Sequence, residues 1–335
     1  KQIQHLPAWA DVGGGAGFSV MAHARKTIEE KIARGEYYDA QQMVKMVYRR
    51  LCAKGQTTEA AELCAGSAKR FSGVGEHDLA ADLGKDLVAT FEDSNAEPCE
   101  ENLGQIEAIV ECIPPNVAAA PKYALLQQAL KWSSSASASK GHPRLHRLAA
   151  KAYWAEHQYG KCQAHFVYCG DGTGLANMVR EWRQRGYPNE EDLFALRTLL
   201  ILLSLNDVAT AREFWNAVAT VTMPEAGGSA SSTATKSTAP DELRAPTPAE
   251  TPGATAVQET PEPTVQCGCF LLAAVEARNI VFFRMVRMKY ALVTRRDSSF
   301  DKYLDEIEAN VFGATTQQNG LGALFEVLLS GGGSI

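Results

Sequence analysis

A chain of 335 residues with a formal net charge of −6 lacks the basic footprint that general nucleic-acid binding needs. Its 45% hydrophobic content rules out a wholly disordered chain, and eight scattered cysteines do not form the spacing of a disulfide framework. Lys1–Val20 has no continuous apolar core, so the expectation is a soluble, cytosolic protein in a reducing compartment.

Lys1–Phe18 reads as a flexible tail, because its GGGAG run lacks the Gly-Lys-Ser/Thr ending of a phosphate-binding loop. Helices are expected at Ser19–Arg34, Glu36–Lys54, Thr57–Phe71 and Glu76–Phe91. Three of these share one frame. Glycine stands at Gly35, Gly55 and Gly75, and alanine follows at Ala40, Ala60 and Ala80. Small or apolar residues then recur at +3, +4, +7, +8 and +11: Met43, Val44, Val47, Tyr48 and Leu51 in the first copy. That spacing is one face of an α-helix. Each glycine supplies the left-handed residue that ends the helix before it. One helix and one turn every 20 residues gives an antiparallel pair every 40, the period of a helical solenoid.

Further helices are expected at Pro98–Cys112, Val117–Trp132, a segment opening at HPRLHRL, and Gln158–Cys169. Tyr159 and Cys162 repeat the Tyr37–Ala40 spacing of a tetratricopeptide-like close approach. GDGTG at Gly170–Gly174 reads as a break before helices at Leu175–Arg185, Glu190–Leu205 and Val208–Val221. Leu193–Leu205 is too short to span a bilayer, which needs about 20 residues, and reads as a helix buried on most sides. Pro224–Thr264 holds seven of the 14 prolines and no aromatic residue, so it reads as a largely disordered insertion. Helices resume at Cys267–Ala277, Ile280–Val293 and Phe300–Phe312. An amphipathic segment at Leu321–Leu329 and a flexible tail at 330–335 follow. The fold expected is all-α: a right-handed superhelical α-solenoid of antiparallel, tetratricopeptide-like helix pairs. Its halves are placed at 19–156 and at 157–223 with 265–329.

No catalytic constellation emerges. Cys162, His165 and Cys169 share a helical face but lack a fourth ligand, so core cysteines and a capping histidine explain them better than zinc. Cys267 and Cys269 lack a second pair. His142 and His146 have no HExxH glutamate and fit a helix start, and DGTG fits a helix connection. No cofactor and no metal are expected. Charge is more informative: Met21–Gly55 carries eight basic residues (Arg25, Lys26, Lys31, Arg34, Lys45, Arg49, Arg50, Lys54) against four acidic ones. A basic end on an acidic chain fits either an acidic protein partner or an ordinary solvated face. A second basic group, Arg278, Arg284, Arg287, Lys289, Arg295 and Arg296, flanks apolar Ile280–Phe283.

GEYYDAQQM at Gly35–Met43, ALKWSS at Ala129–Ser134, GHPRLH at Gly141–His146, YLDEIEANVFGA at Tyr303–Ala314 and the closing GLGALFEVL resemble the Golgi-to-ER traffic protein 4 family. The likeness spans roughly Arg25–Leu329 outside the insertion. It implies a non-enzymatic α-solenoid adaptor in the guided entry of tail-anchored proteins. The N-terminal helices would bind the targeting ATPase, through Arg25, Lys26, Lys31, Tyr37, Tyr38, Lys45 and Arg49. The C-terminal half would hold a ubiquitin-like partner through Phe270, Leu271, Phe282, Phe283, Arg284 and Tyr303, and that partner recruits a tetratricopeptide co-chaperone carrying the client. Neither nucleic acid nor direct membrane insertion is implied. Family members can carry a β-hairpin ahead of the late helices; here strand-like alternation occurs only at Ala219–Met223 and Thr264–Cys269. The rival reading is a helical-repeat subunit of another cytosolic complex, with an enzyme a distant third.

Overall fold

The computed structural model describes residues 16–134, 140–222 and 262–314. They form two compact units, one ending at Asp171 and one starting at Gly172. All regular structure among the described residues is helical, in keeping with an all-α solenoid.

The first unit runs α1 (Ala16–Ala33), α2 (Tyr37–Ala53), α3 (Thr57–Gly73), α4 (His77–Asp93), α5 (Glu100–Glu111), α6 (Ala119–Trp132), α7 (Pro143–Ala155) and α8 (Tyr159–Phe166). Neighbours in sequence pack as neighbours in space: α1 on α2, α2 on α3, α3 on α4, and α7 on α8. The repeated apolar face becomes the core. Ala40, Val44, Ala60, Leu63, Cys64, Ala68, Phe71, Ala80, Leu83, Leu87 and Val88 are all buried. Removing that much apolar surface from water is the main stabilising term.

The 20-residue turn is one hydrogen-bonded motif used repeatedly. The Gly35 N–H donates to the Ile32 carbonyl and the Glu36 N–H to Lys31; the turns at Gly55 and Gly75 match bond for bond. All three glycines have positive φ. This is the Schellman closure, in which a left-handed residue satisfies the last helical carbonyls. A fourth copy, missing from the glycine pattern, lies twenty residues on at Asn95 (φ 48°), with Ala96 N–H donating to Phe91. His157 closes α7 in the same way, and Asn206 and Arg278 recur in the second unit.

The second unit runs α9 (Gly172–Arg183), a 3-10 turn (Pro188–Glu190), α10 (Glu191–Ser204), α11 (Val208–Thr222), α12 (Pro263–Glu276), α13 (Ile280–Lys289), α14 (Ala291–Thr294) and α15 (Ser299–Phe312). The apolar α10 packs against α9, α11, α12 and α15, so burial on most sides accounts for its composition. No described helix is long and apolar enough to cross a membrane.

Several local expectations are corrected. Helix α1 starts at Ala16, inside the expected tail. Gly172 and Gly174 lie within α9 rather than in a break. A Cβ on Gly172 would sit 2.5 Å from the Phe214 backbone nitrogen, so glycine serves the close approach of α11. The strand-like alternation at Thr264–Cys269 is helix, with Pro263 in the first turn of α12, where its missing N–H is harmless. No strand occurs among the described residues. The single helix expected over Ile280–Val293 is divided at Tyr290, whose hydroxyl bonds Gln266 Oε1 at 3.1 Å. The readings for most of the N-terminal tail and the insertion, and those for Leu321–Leu329 and 330–335, lie outside the described residues.

Candidate protein-interaction surfaces

The structure separates the N-terminal cations into those used internally and those left to solvent. Arg25 faces Glu62 at 3.7 Å, and Lys31 pairs with Glu36 (3.1 Å) and Asp39 (3.7 Å). Lys45 reaches across to α4, bonding Asp82 with Asp86 3.5 Å away. Burial alone would lower its ammonium, but the Asp82 hydrogen bond and both carboxylates outweigh it and hold the group above its ordinary value. Asp82 moves the opposite way: burial raises it, yet Lys45 and Lys85 pull it below the usual carboxylate range.

Lys26, Tyr38 and Arg49 remain exposed, as do Arg50 and Lys54, which the candidate set omitted. Among the described residues, these four cations have no ion-pair partner. Tyr38, Lys45 and Arg49 fall at offsets of 7 and 11, one stripe of α2. Tyr37 packs partly against the core. The free positive charge therefore concentrates on the last turns of α2, where cations also complement the helix dipole.

In the second unit the six candidates divide as well. Phe270 and Phe282 meet edge-on with centroids 6.2 Å apart, and Phe270 lies 6.1 Å from Tyr290, giving an aromatic ledge on α12 and α13. Leu271 and Phe283 are fully buried, Phe283 against the Phe312 ring at 5.3 Å. Arg284 is held by Glu308 (2.9 and 3.0 Å), and Tyr303 is half-buried on α15. Arg287 is engaged by Asp301, Asp305 and Glu308, Arg296 by Asp192, and Arg278 by the Val311 carbonyl. The second basic group is thus largely neutralised, leaving Lys289 and Arg295 facing solvent.

The titratable clusters are internal. The His142 ring caps α7 by accepting from the Arg144 N–H. His165 makes no such cap: it stacks near Tyr153, and its Nδ1 lies 3.1 Å from His146 Nδ1. Burial, then the neighbouring His146, pushes His165 down to about 4. Burial places Cys169 and Cys267 up at about 12, far from a nucleophilic thiolate. All eight cysteines are free. Among the described residues no group of three or more His, Cys, Asp or Glu is placed to hold a metal. A depression of about 260 Å³ beside α10 is lined by Arg197, Arg296 and Asp297, whose charges are matched by Asp297, Asp192 and Arg197.

A family model described as Golgi to ER traffic protein 4 matches residues 54–329. The Golgi to ER traffic protein 4 homolog of Bos taurus is 30% identical over 305 residues, spanning 90% of this chain and 84% of its own length. The Homo sapiens homolog is 29% identical over 309 residues, spanning 91% and 84%. A crystal structure of C. therm. Get4 matches with a TM-score of 0.70 at 19% identity, covering 91% of this chain and 95% of that one. With the sequence matched along most of its length and the helical architecture shared, the chain belongs to the Golgi to ER traffic protein 4 family.

Proposed function

We propose that this chain is a non-catalytic adaptor in the guided entry of tail-anchored proteins. It joins the targeting ATPase at α1–α2 to a ubiquitin-like partner at α12–α15, so that a hydrophobic client passes between chaperones. The observation that carries the reading is the contrast between the two units. The first leaves unpaired cations and an exposed tyrosine on α2, suited to an acidic protein surface. The second neutralises Arg278, Arg284, Arg287 and Arg296 and leaves aromatic and apolar side chains outward. Exposed aromatic clusters and unpaired cations are typical recognition elements, whereas buried ion pairs and core aromatics are not.

The test separates the two contacts. Lys26→Glu with Arg49→Glu is expected to weaken ATPase binding at least about tenfold at low salt, with the deficit shrinking as salt screens the contact. Helicity and binding of the ubiquitin-like partner stay unchanged. Phe270→Glu does the reverse. Unchanged affinity for the ATPase at both low and high salt overturns the N-terminal assignment. Unchanged affinity of Phe270→Glu for the ubiquitin-like partner overturns the C-terminal one.

A further inference from the structure

Residues 112–170 hold seven lysines and arginines against one carboxylate, Glu156. That local +6 sits in a chain of net −6, leaving −12 for the remaining residues. The segment folds as α6, α7 and α8, which pack in sequence. A column of rings ties them together: Tyr123 stacks on Tyr153 at 4.1 Å, and Tyr153 on His165 at 5.6 Å.

Two of the seven cations are used internally. Lys122 is buried against Glu156, and Arg144 is held by Glu100 and Glu107 of α5. Lys131, Lys140, Arg147, Lys151 and Lys161 stay exposed, and none has an ion-pair partner among the described residues. Arg147 donates to the Cys169 carbonyl at 3.2 Å, and Lys161 Nζ lies 5.5 Å from the Tyr153 ring centroid. Both contacts position a charge without cancelling it. Like charges gathered on three adjoining helices repel, and a bound anion relieves that repulsion.

The surroundings select the anion. No large apolar side chain of α6, α7 or α8 is exposed, so these helices offer neither a wedge for a bilayer nor a platform for stacked bases. A membrane or a long nucleic acid also meets the acidic remainder of the chain. A short segment senses only the charges within a Debye length, about 8 Å. Arg147 and Lys151 stand four residues apart on α7, about 6 Å along its axis. Alternate side chains of an extended peptide are about 6.6 Å apart, so carboxylates at every second position match them.

We infer that α6–α8 bind a short, extended acidic segment of a partner protein. Arg147 and Lys151 are its paired anchors, and Lys131, Lys140 and Lys161 steer its approach. The inference is independent of the partner assignments above, which use α1–α2 and α12–α15.

Fluorescence anisotropy of a short labelled peptide of alternating Glu and Ser, titrated with the full chain, tests it. Lys131→Glu with Lys140→Glu and Lys151→Glu is expected to weaken binding at least about tenfold at low salt, the gap closing as salt rises. Glutamine at the same three positions gives a smaller loss in the same direction, and decides the matter if the reversal lowers helicity. Lys26→Glu with Arg49→Glu, on α2, keeps peptide affinity within about twofold of wild type. A loss confined to the α6–α8 variants supports the inference. No binding by the wild-type chain, or unchanged affinity in both triple variants, overturns it. An equal loss in the α2 variant overturns it in favour of a whole-chain charge effect. Tighter binding of phosphatidylserine-containing vesicles or of oligouridylate than of the peptide overturns it in favour of a membrane or an RNA.

Discussion

A sensitive point of the first unit is the Lys122–Glu156 ion pair. Both side chains are 2% exposed, with Lys122 Nζ 3.0 Å from Glu156 Oε1. Glu156 occupies the C-terminal cap of α7, where a carboxylate faces helical carbonyls of like sign. It persists because the Asn116 N–H, Gln158 Nε2 and Lys122 converge on it at 3.0–3.1 Å. Burial pushes the carboxyl up, but the nearby Tyr123 hydroxyl and the hydrogen bonds from Lys122 and Asn116 outweigh this and hold it below the usual range. Lys122→Met removes the cation paired with Glu156 and leaves a buried anion, a change that costs about 3–5 kcal/mol. Because the Asn116 and Gln158 donors remain, the lower end applies, and thermal unfolding should shift down by about 6–12 °C. Urea unfolding followed by circular dichroism gives the free energy. The pH dependence supplies the sign. A depressed carboxyl contributes stability that is present above its unfolded value, about 4.3, and lost as pH falls through the folded one. In Lys122→Met the carboxyl titrates higher, so the deficit against wild type narrows on acidification. Adding Glu156→Gln should recover most of the loss. A Lys122→Met protein within about 0.5 kcal/mol of wild type at neutral pH refutes the reasoning, since that is the scatter of ordinary surface substitutions.

Gly172→Ala forces a Cβ against the backbone of α11 and should destabilise by about 1–3 kcal/mol in urea titration. Gly84→Ala meets side-chain methyls alone, those of Leu125 at 2.6 and 3.2 Å and one of Ile109 at 3.4 Å, which can give way, so its loss should be smaller; equal losses would show that the backbone contact is not the cause. Burial and then the neighbouring His146 hold His165 down to about 4 in the fold, against about 6.5 when unfolded. Its stabilisation is present above 6.5 and lost as pH falls towards 4. His165→Phe should flatten that part of the stability curve while keeping the stack on Tyr153, and an unchanged slope between pH 6.5 and 4 assigns it to other groups.

What the sequence displays and what it conceals divides along the distance over which each feature is decided. Gly35, Gly55 and Gly75 are visible because a left-handed residue favours glycine locally. Asn95, His157, Asn206 and Arg278 adopt the same conformation unseen, since packing of the flanking helices supports a non-glycine residue there. Gly172 looks like a turn residue until α11 is seen against it, and Tyr290, where the helix divides, is bonded by Gln266 from 24 positions away. The candidate surfaces follow the same rule. An excess of cations over Met21–Gly55 can be counted, but which of them are free cannot, because Lys45 is claimed by Asp82 from 37 residues away and Arg25 by Glu62. The late helices behave alike: Phe282 and Phe283 are adjacent and chemically identical, yet helical rotation puts one on the ledge and the other in the core. A site built on an α-solenoid is therefore read most reliably from the residues that neighbouring helices decline to use. In this chain those are Lys26, Tyr38 and Arg49 at one end of the sequence and Val281, Met285, Met288 and Leu292 towards the other.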